Sequence, residues 1–463
     1  MDTCRGIGGC ARIGTVAYVL TTCTVAGYRQ RLQIRRGNCD PVTVLDFPNP
    51  TVRPLDCAPA GKSRWGTASP IGGVFQRLGV SPNGKRVVFE VTDDFSLLGR
   101  GKLLPPEQQD GIFVVRADGR GLRRLGPPSR DASFGFLMDP PGRFGARTTV
   151  WTRLTFSPDG REAVLTDLGP GPAGEEAVQV FTLNVGTGER IQLTHLPFEP
   201  DHQVGLDSLD RGTCCPVFLD NGRISFLSYL DIDGSNPERE QAQFVMNRDG
   251  SGVERAAFPV TTPEGRLVPI FETTGGGERR YATTLSLEGT PLNGDTGQPD
   301  VREIFLFDGG SLLQLTRFGR SDTGTPDLTP DGQRVIFAAS ADPFGTNPSE
   351  TCQLFSMDAT GTGLRQLTHF SYPERSMRGC VQVAPPGCRV LSYGLEPATG
   401  TVVFYSSCDP FGTNPYGDQL FAINLNGLHL RQLTQARGLV TEADGTVTAE
   451  NIGPIGHSRI LGK

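Results

Sequence analysis

LTPDGQRVIFAASADPFGTNPSETCQLFSMDATGTGLRQLTHF, residues 328–370, decides the fold. It reads as two hairpins in a row. A short apolar start meets a Pro-Asp-Gly turn, and RVIFAASAD follows as a strand that ends on Asp342; QLFSMD, a Gly-rich turn and LRQLT make the second pair. The phrase DPFGTNP between the pairs returns letter for letter at 409–415 and is followed by DQLFAINLNGLHLRQLTQA from Asp418. A repeated four-strand phrase points to an array of similar units.

Further copies lie on both sides. VSPNGKRVVFEVTDD (80–94) goes with GIFVVRADGRGLRRLG (111–126), and FSPDGREAVLTDL (156–168) with VQVFTLNVGTGERIQLTHL (178–196). CPVFLDNGRISFLSYLD (215–231) pairs with FVMNRDGSGVERAAF (244–258), and LVPIFETTGGGERRYATTLSLE (267–288) with EIFLFDGGSLLQLTRF (303–318). RVLSYGLEPATGTVVFYSSCD (389–409) opens the sixth unit. The strands of each unit are called a to d, and their a–b turns, near Gly84, Gly160, Gly222, Gly277, Gly332 and Gly400, recur every 55 to 76 residues.

A four-stranded sheet of this size cannot bury both faces alone, so such units stack radially as the blades of a β-propeller. TVAYVLTT (15–22), RQRLQIRRG (29–37) and PVTVLDF (41–47) read as strands b, c and d of a seventh blade. Its missing strand a is expected in GLVTEADGTVTAENIG (438–453), which closes the ring and leaves no exposed edge. The expected fold is therefore all-β, one propeller domain over 1–463, with seven blades and six or eight as alternatives. It divides into a partial blade in 1–57, six repeat blades in 74–437, and a closing strand and tail in 438–463.

Composition agrees with many short strands: 60 Gly and 36 Pro in 463 residues. A formal charge of −6 argues against a nucleic-acid partner, since phosphate backbones need concentrated Lys and Arg. No run approaches 18 apolar residues, so no transmembrane segment is expected. Eleven cysteines are many for a reduced compartment, and the opening MDTCRGIGGC lacks the apolar core of a signal peptide. The expectation is a periplasmic or extracellular protein whose secretion signal is absent from this chain, with at least one cysteine free or paired to another chain.

The pattern SPDG-R-x-V-x-F followed by LF-x-M-x-x-x-G-x-G-L-R-Q-L-T resembles the WD-like Asp-Pro repeats of the TolB-type β-propellers of bacterial envelopes, over roughly residues 75–437. The resemblance implies a periplasmic or secreted location and protein–protein binding as the commonest role. It implies no catalytic residues, and the chain has no G-x-S-x-G nucleophile elbow.

Loop lengths break the symmetry of the ring. The b–c connections carry the insertions, at 93–110, 168–177, 232–243, 288–302, 342–352 and 409–418, and b–c and d–a loops leave a blade on the same side. Strand b ends on an acid in six blades: Asp93, Asp167, Asp231, Glu288, Asp342 and Asp409. These carboxylates can cap the loops that follow, or form a ring that attracts a cation or a basic partner. In DPFGTNP, Asp342 and Asn347, repeated as Asp409 and Asn414, suit a stiff loop as well as a binding motif. DIDGSNPE (231–238) offers Asp231, Asp233, Asn236 and Glu238 as oxygen ligands loosely like a calcium loop. No other cofactor is expected. For the cysteines, Cys380 with Cys388, Cys352 with Cys408, and Cys23 with Cys57 are the pairings considered at this face. The functional expectation is a non-catalytic, monomeric scaffold that binds a protein or peptide through the loop-rich face. The alternative is a metal-dependent lactonase or lyase at the channel mouth.

Overall fold

The structure is a computed structural model describing residues 14–24, 27–37, 39–49, 75–91, 111–130, 154–199, 213–219, 221–237, 239, 242–256, 261–262, 265–269, 280–291, 300–308, 311–319, 323–324, 326–329, 331–371, 380, 390–396, 400–406, 408–412 and 419–457. Among these residues the chain forms thirty strands in seven antiparallel sheets and no helix. It is a seven-bladed β-propeller.

Blade 5 shows how the repeat folds. Asp327–Leu328, Arg334–Ala339, Gln353–Asp358 and Arg365–Gln366 follow one another as strands a to d. The a–b turn is set by its letters: Gly332 takes φ 67° and gives its N–H to the Thr329 carbonyl at 2.7 Å. Thr329 Oγ1 donates to Asp331 Oδ1 at 2.6 Å, which also accepts the Gln333 N–H at 3.0 Å. The same bonds recur from Ser81 and Asn83, and from Ser157 and Asp159. The Ser/Thr-Pro-Asp-Gly phrase thus spells a turn whose side chains satisfy the local backbone.

In blade 5, strand b is buried from Val335 to Ala339 and strand c from Gln353 to Met357, so both faces of each are covered. Four blades place one phenylalanine opposite another across b and c, as Phe89–Phe113, Phe226–Phe244, Phe337–Phe355 and Phe404–Phe421, with ring centroids 5.6 to 5.8 Å apart. The core lies between blades rather than at a centre. One cluster joins Val19 and Leu32 to Phe89 and Val115; another joins Ile336 and Leu354 to Phe404 and Phe421. Each sheet is one slice of a shared core.

The ring closes through the chain ends. Thr15–Thr24, Gly27–Arg36 and Val42–Asn49 are strands b, c and d of blade 7, and Val447–His457 pairs with Thr15–Thr24 as strand a. The Tyr405 hydroxyl ties it to blade 6 by donating to the Ile452 carbonyl at 2.9 Å. In place of the single strand expected over 438–453 stands a hairpin, Gly438–Thr441 and Val447–His457, because Asp444-Gly445 makes a turn with Gly445 at φ 83°. Two acids also shift from their expected places. Asp167 lies inside Glu162–Pro170 and Glu288 inside Arg280–Pro291, since these b strands run on into extended hairpins instead of stopping at the carboxylate.

Candidate functional site

The loop-rich face is built on a frame that the chain satisfies by itself. In blade 5, Asp342 Oδ1 accepts the Asn347 N–H at 2.7 Å, and Gly345 turns the loop at φ 68°. Asn347 is 2% exposed, and its amide donates to the carbonyls of Ala341 (3.0 Å) and Thr351 (2.8 Å). Its oxygen accepts from the Thr351 N–H and from Gln353 Nε2, each at 3.2 Å. The side chain with the most binding-like chemistry in DPFGTNP is therefore spent inside the loop.

The same device appears in blade 3, where the sequence does not show it at once. Asp231 Oδ1 accepts the Asn236 N–H at 2.8 Å, Gly234 has φ 80°, and the buried Asn236 amide donates to the Tyr229 and Leu230 carbonyls. DIDGSNP is thus a copy of DPFGTNP, with Asp233 where the others carry Phe344 and Phe411. Asp233 Oδ1 accepts the Ser235 N–H at 3.0 Å, and Oδ2 the Arg255 N–H at 3.3 Å. Burial works to raise the Asp233 carboxyl, but these bonds, with that from the Ser235 hydroxyl, outweigh it and hold it below the usual range. Among the described residues no three His, Cys, Asp or Glu side chains are grouped to hold a metal; Glu238 lies outside them, as do Asp93 and Asn414.

Asp167 is engaged as well. It is 5% exposed and accepts the N–H groups of Arg130 (2.7 Å) and Leu168 (2.8 Å) and the Arg190 guanidinium (2.5 Å). Next to it, Arg77 donates to the Thr166 carbonyl at 3.1 Å and pairs with Glu90 at 3.4 Å, both side chains almost wholly buried. Burial pushes the Glu90 carboxyl up, and the Arg77 charge and the Ser129 N–H pull it back. This network rivets blade 1 to blade 2; single-copy letters carry no sign of it. Asp409 follows the end of strand b in blade 6, and Glu288 lies within strand b of blade 4.

Beneath the loops runs a clasp repeated in blades 2, 5 and 6. Strand c carries a buried glutamine, Gln179, Gln353 or Gln419, whose oxygen accepts from the Thr194, Thr368 or Thr434 hydroxyl at 2.7 to 2.9 Å. That hydroxyl accepts the next strand-c N–H, at 2.9 Å in each case. The QLF and QLT letters repeat visibly, but only the register shows that they meet.

The disulfide differs from both pairings expected for Cys352 and Cys380. Cys352 is bonded to Cys380, 28 residues on, so Cys380 does not close onto Cys388 and Cys352 does not reach Cys408. Cys352 stands just before strand c of blade 5 and Cys380 follows its strand d, and their Cα atoms are 5.0 Å apart. Cys39, Cys214 and Cys408 are also disulfide-bonded.

What the frame presents outward is aromatic. Phe344 and Phe411 are each 49% exposed, at the same place in the loops of adjacent blades, and Phe198, after strand d of blade 2, is 46% exposed. The Phe411 ring lies over the buried Phe421 at 6.3 Å. The signal is legible in the letters, since a phenylalanine between Pro and Gly in a loop has no strand face to hide it.

No protein-family model and no curated protein matches the sequence. Solved structures are similar in fold. The β-propeller domain of the Trilobed protease from Pyrococcus furiosus shares 11% identity over 92% of this chain and 95% of that one, at a TM-score of 0.48. TolB from Acinetobacter baumannii shares 14% over 95% and 82%, at 0.40. Oligogalacturonate lyase from Vibrio parahaemolyticus shares 10% over 81% and 77%, at 0.41. At these identities the likeness assigns no function.

Proposed function

We propose that the protein is a non-catalytic, secreted or periplasmic propeller that binds a protein or peptide partner through its loop-rich face. One observation carries this reading: Phe344 and Phe411 stand half exposed at equivalent positions of neighbouring blades, and the frame under Phe344 has its polar groups already satisfied. Rigid aromatic side chains on a fixed scaffold lose little entropy on contact and are the usual anchors of protein interfaces. The Cys352–Cys380 bond fits an oxidising compartment.

The test is selection of peptides from a displayed library on the native protein, followed by titration against the double variant Phe344→Ser, Phe411→Ser. Selected peptides are expected to bind the variant at least about tenfold more weakly, with its melting temperature unchanged. Equal binding to both proteins, or no enrichment on the native one, overturns the proposal.

A further inference from the structure

Blade 1 is the basic sector of an acidic protein. Its described residues, 75–91 and 111–130, hold eight Lys or Arg against two Asp or Glu, in a chain of net charge −6. Arg77 is buried against Glu90, whereas Lys85, Arg86, Arg116, Arg120, Arg123 and Arg124 are exposed near the tight-turn face, opposite the elaborated loops.

Register brings three of these together. Arg86, at the start of strand b (Arg86–Val91), is directly opposite Arg116, at the end of strand c (Gly111–Arg116). Arg123, opening strand d (Arg123–Gly126), is opposite Val114, two residues before Arg116 and so on the same side of the sheet. Val88 and Val114 on that side pack against blade 2. The three guanidinium groups therefore share the side that meets blade 2, where they line a cleft of about 210 Å³ with Val185 and Gly186.

Like charges directly opposite each other in an antiparallel pair repel, and the protein offsets that only in part. Arg116 pairs with Asp118 at 2.6 Å, and Arg123 gives one nitrogen to the carbonyls of Val185 (3.1 Å) and Gly186 (2.7 Å). Arg86 has no carboxylate partner among the described residues. A guanidinium has five N–H donors, so all three side chains keep donors to spare.

We propose that this cleft is an anion site for the phosphate group of a small phosphorylated ligand. Three forks from three strands match the several oxygens of a phosphate better than the two of a carboxylate. The volume is below the roughly 300–1,000 Å³ of pockets that enclose whole ligands, so the cleft takes the charged group and leaves the remainder outside. The site stands apart from the loop-rich face and does not depend on the role proposed for it.

Calorimetric titration of the full chain at low ionic strength tests this, with inorganic phosphate, glycerol 3-phosphate and glycerol as probes. Both phosphates are expected to bind saturably at one site per chain, weakening as salt is added, and glycerol is not. Arg86→Ala is expected to weaken phosphate at least about tenfold, and Arg86→Lys, which keeps the charge without the fork, by less. Because Arg86 is exposed, both variants should melt with the native protein. Absence of saturable phosphate binding, native affinity in Arg86→Ala, or acetate bound as tightly as phosphate at matched ionic strength overturns it.

Discussion

Blades 4 and 5 hold the same clasp with one functional group exchanged. In blade 5, Gln353 is fully buried; its oxygen accepts the Thr368 hydroxyl and the Phe370 N–H, both at 2.9 Å, and its nitrogen donates to the Phe370 carbonyl at 2.7 Å. In blade 4 the position is Glu303, 1% exposed, which accepts the Thr316 hydroxyl at 2.5 Å and the Gly319 N–H at 2.9 Å. Gly319 sits at φ 65°. Where the chain offers the strand a carbonyl, a carboxamide is needed; where a left-handed glycine turns a second N–H inward, an acceptor-only carboxylate fits. The difference shows that each blade's clasp is matched to its own d–a turn, even though the repeat looks uniform.

Removing the clasp from blade 5 should have the largest effect. Gln353→Ala leaves the Thr368 hydroxyl and both polar groups of Phe370 without their partner in a dry site, and Asn347 loses a donor. The expected loss is about 3 kcal/mol, given 1–3 kcal/mol for each buried group left unsatisfied and incomplete additivity. Urea denaturation measures it, and a loss under about 0.5 kcal/mol, the range of ordinary surface changes, would show that the clasp is incidental.

These features differ in how far the sequence discloses them. The seven-blade ring is readable because turn letters and strand periods recur, and recurrence needs no knowledge of contacts. Gln353 and Thr368 are visible as repeated letters, yet their meeting depends on strands c and d lying side by side. The likeness of the Asn236 loop to the Asn347 loop is hard to read in the letters, because Ile232-Asp233 stands where DPFGTNP has Pro-Phe. Cys352–Cys380 escapes the sequence because Cys352, Cys380, Cys388 and Cys408 are all expected at one face, and a shared face does not choose among partners. The buried charges of blades 1 and 2 have no repeat to announce them: strand register sets Arg77 opposite Glu90, and packing brings Arg190 to Asp167.

A subtler exchange moves the carboxylate into the wrong blade. Gln353→Glu sets an acceptor against the Phe370 carbonyl and Asn347 Oδ1, which now receive the glutamine's protons. Ionised, the new side chain should cost about 2 kcal/mol at pH 7. Protonated, it can donate to the Phe370 carbonyl again. Its folded pKa is therefore above the unfolded value of about 4.3, so stability is fully present at acid pH and falls as pH rises through the folded pKa. Denaturation at pH 5 and pH 7.5 should show the variant closer to the native protein at pH 5; an equal deficit at both would remove the charge from the explanation.

The reverse exchange, Glu303→Gln, should give the smallest net change, and its signature lies in the pH dependence. Burial pushes the Glu303 carboxyl up, despite the hydrogen bonds from Thr316, Gly319 and Phe318 that favour its charged form. A carboxyl raised on folding binds a proton more readily in the native state, so the native protein loses stability as pH rises from the unfolded value towards the raised one. Glutamine removes the buried charge but turns an N–H₂ towards a site that offers donors, and these terms oppose each other. The net change at pH 7 is expected within about 1 kcal/mol of either sign. What must change is the slope: between pH 4.5 and pH 7.5 the variant's stability relative to the native protein should rise, because only the native protein carries Glu303. A constant difference across that range would mean that the blade 4 carboxylate is as well accommodated folded as unfolded, and that its contrast with Gln353 lies in shape alone.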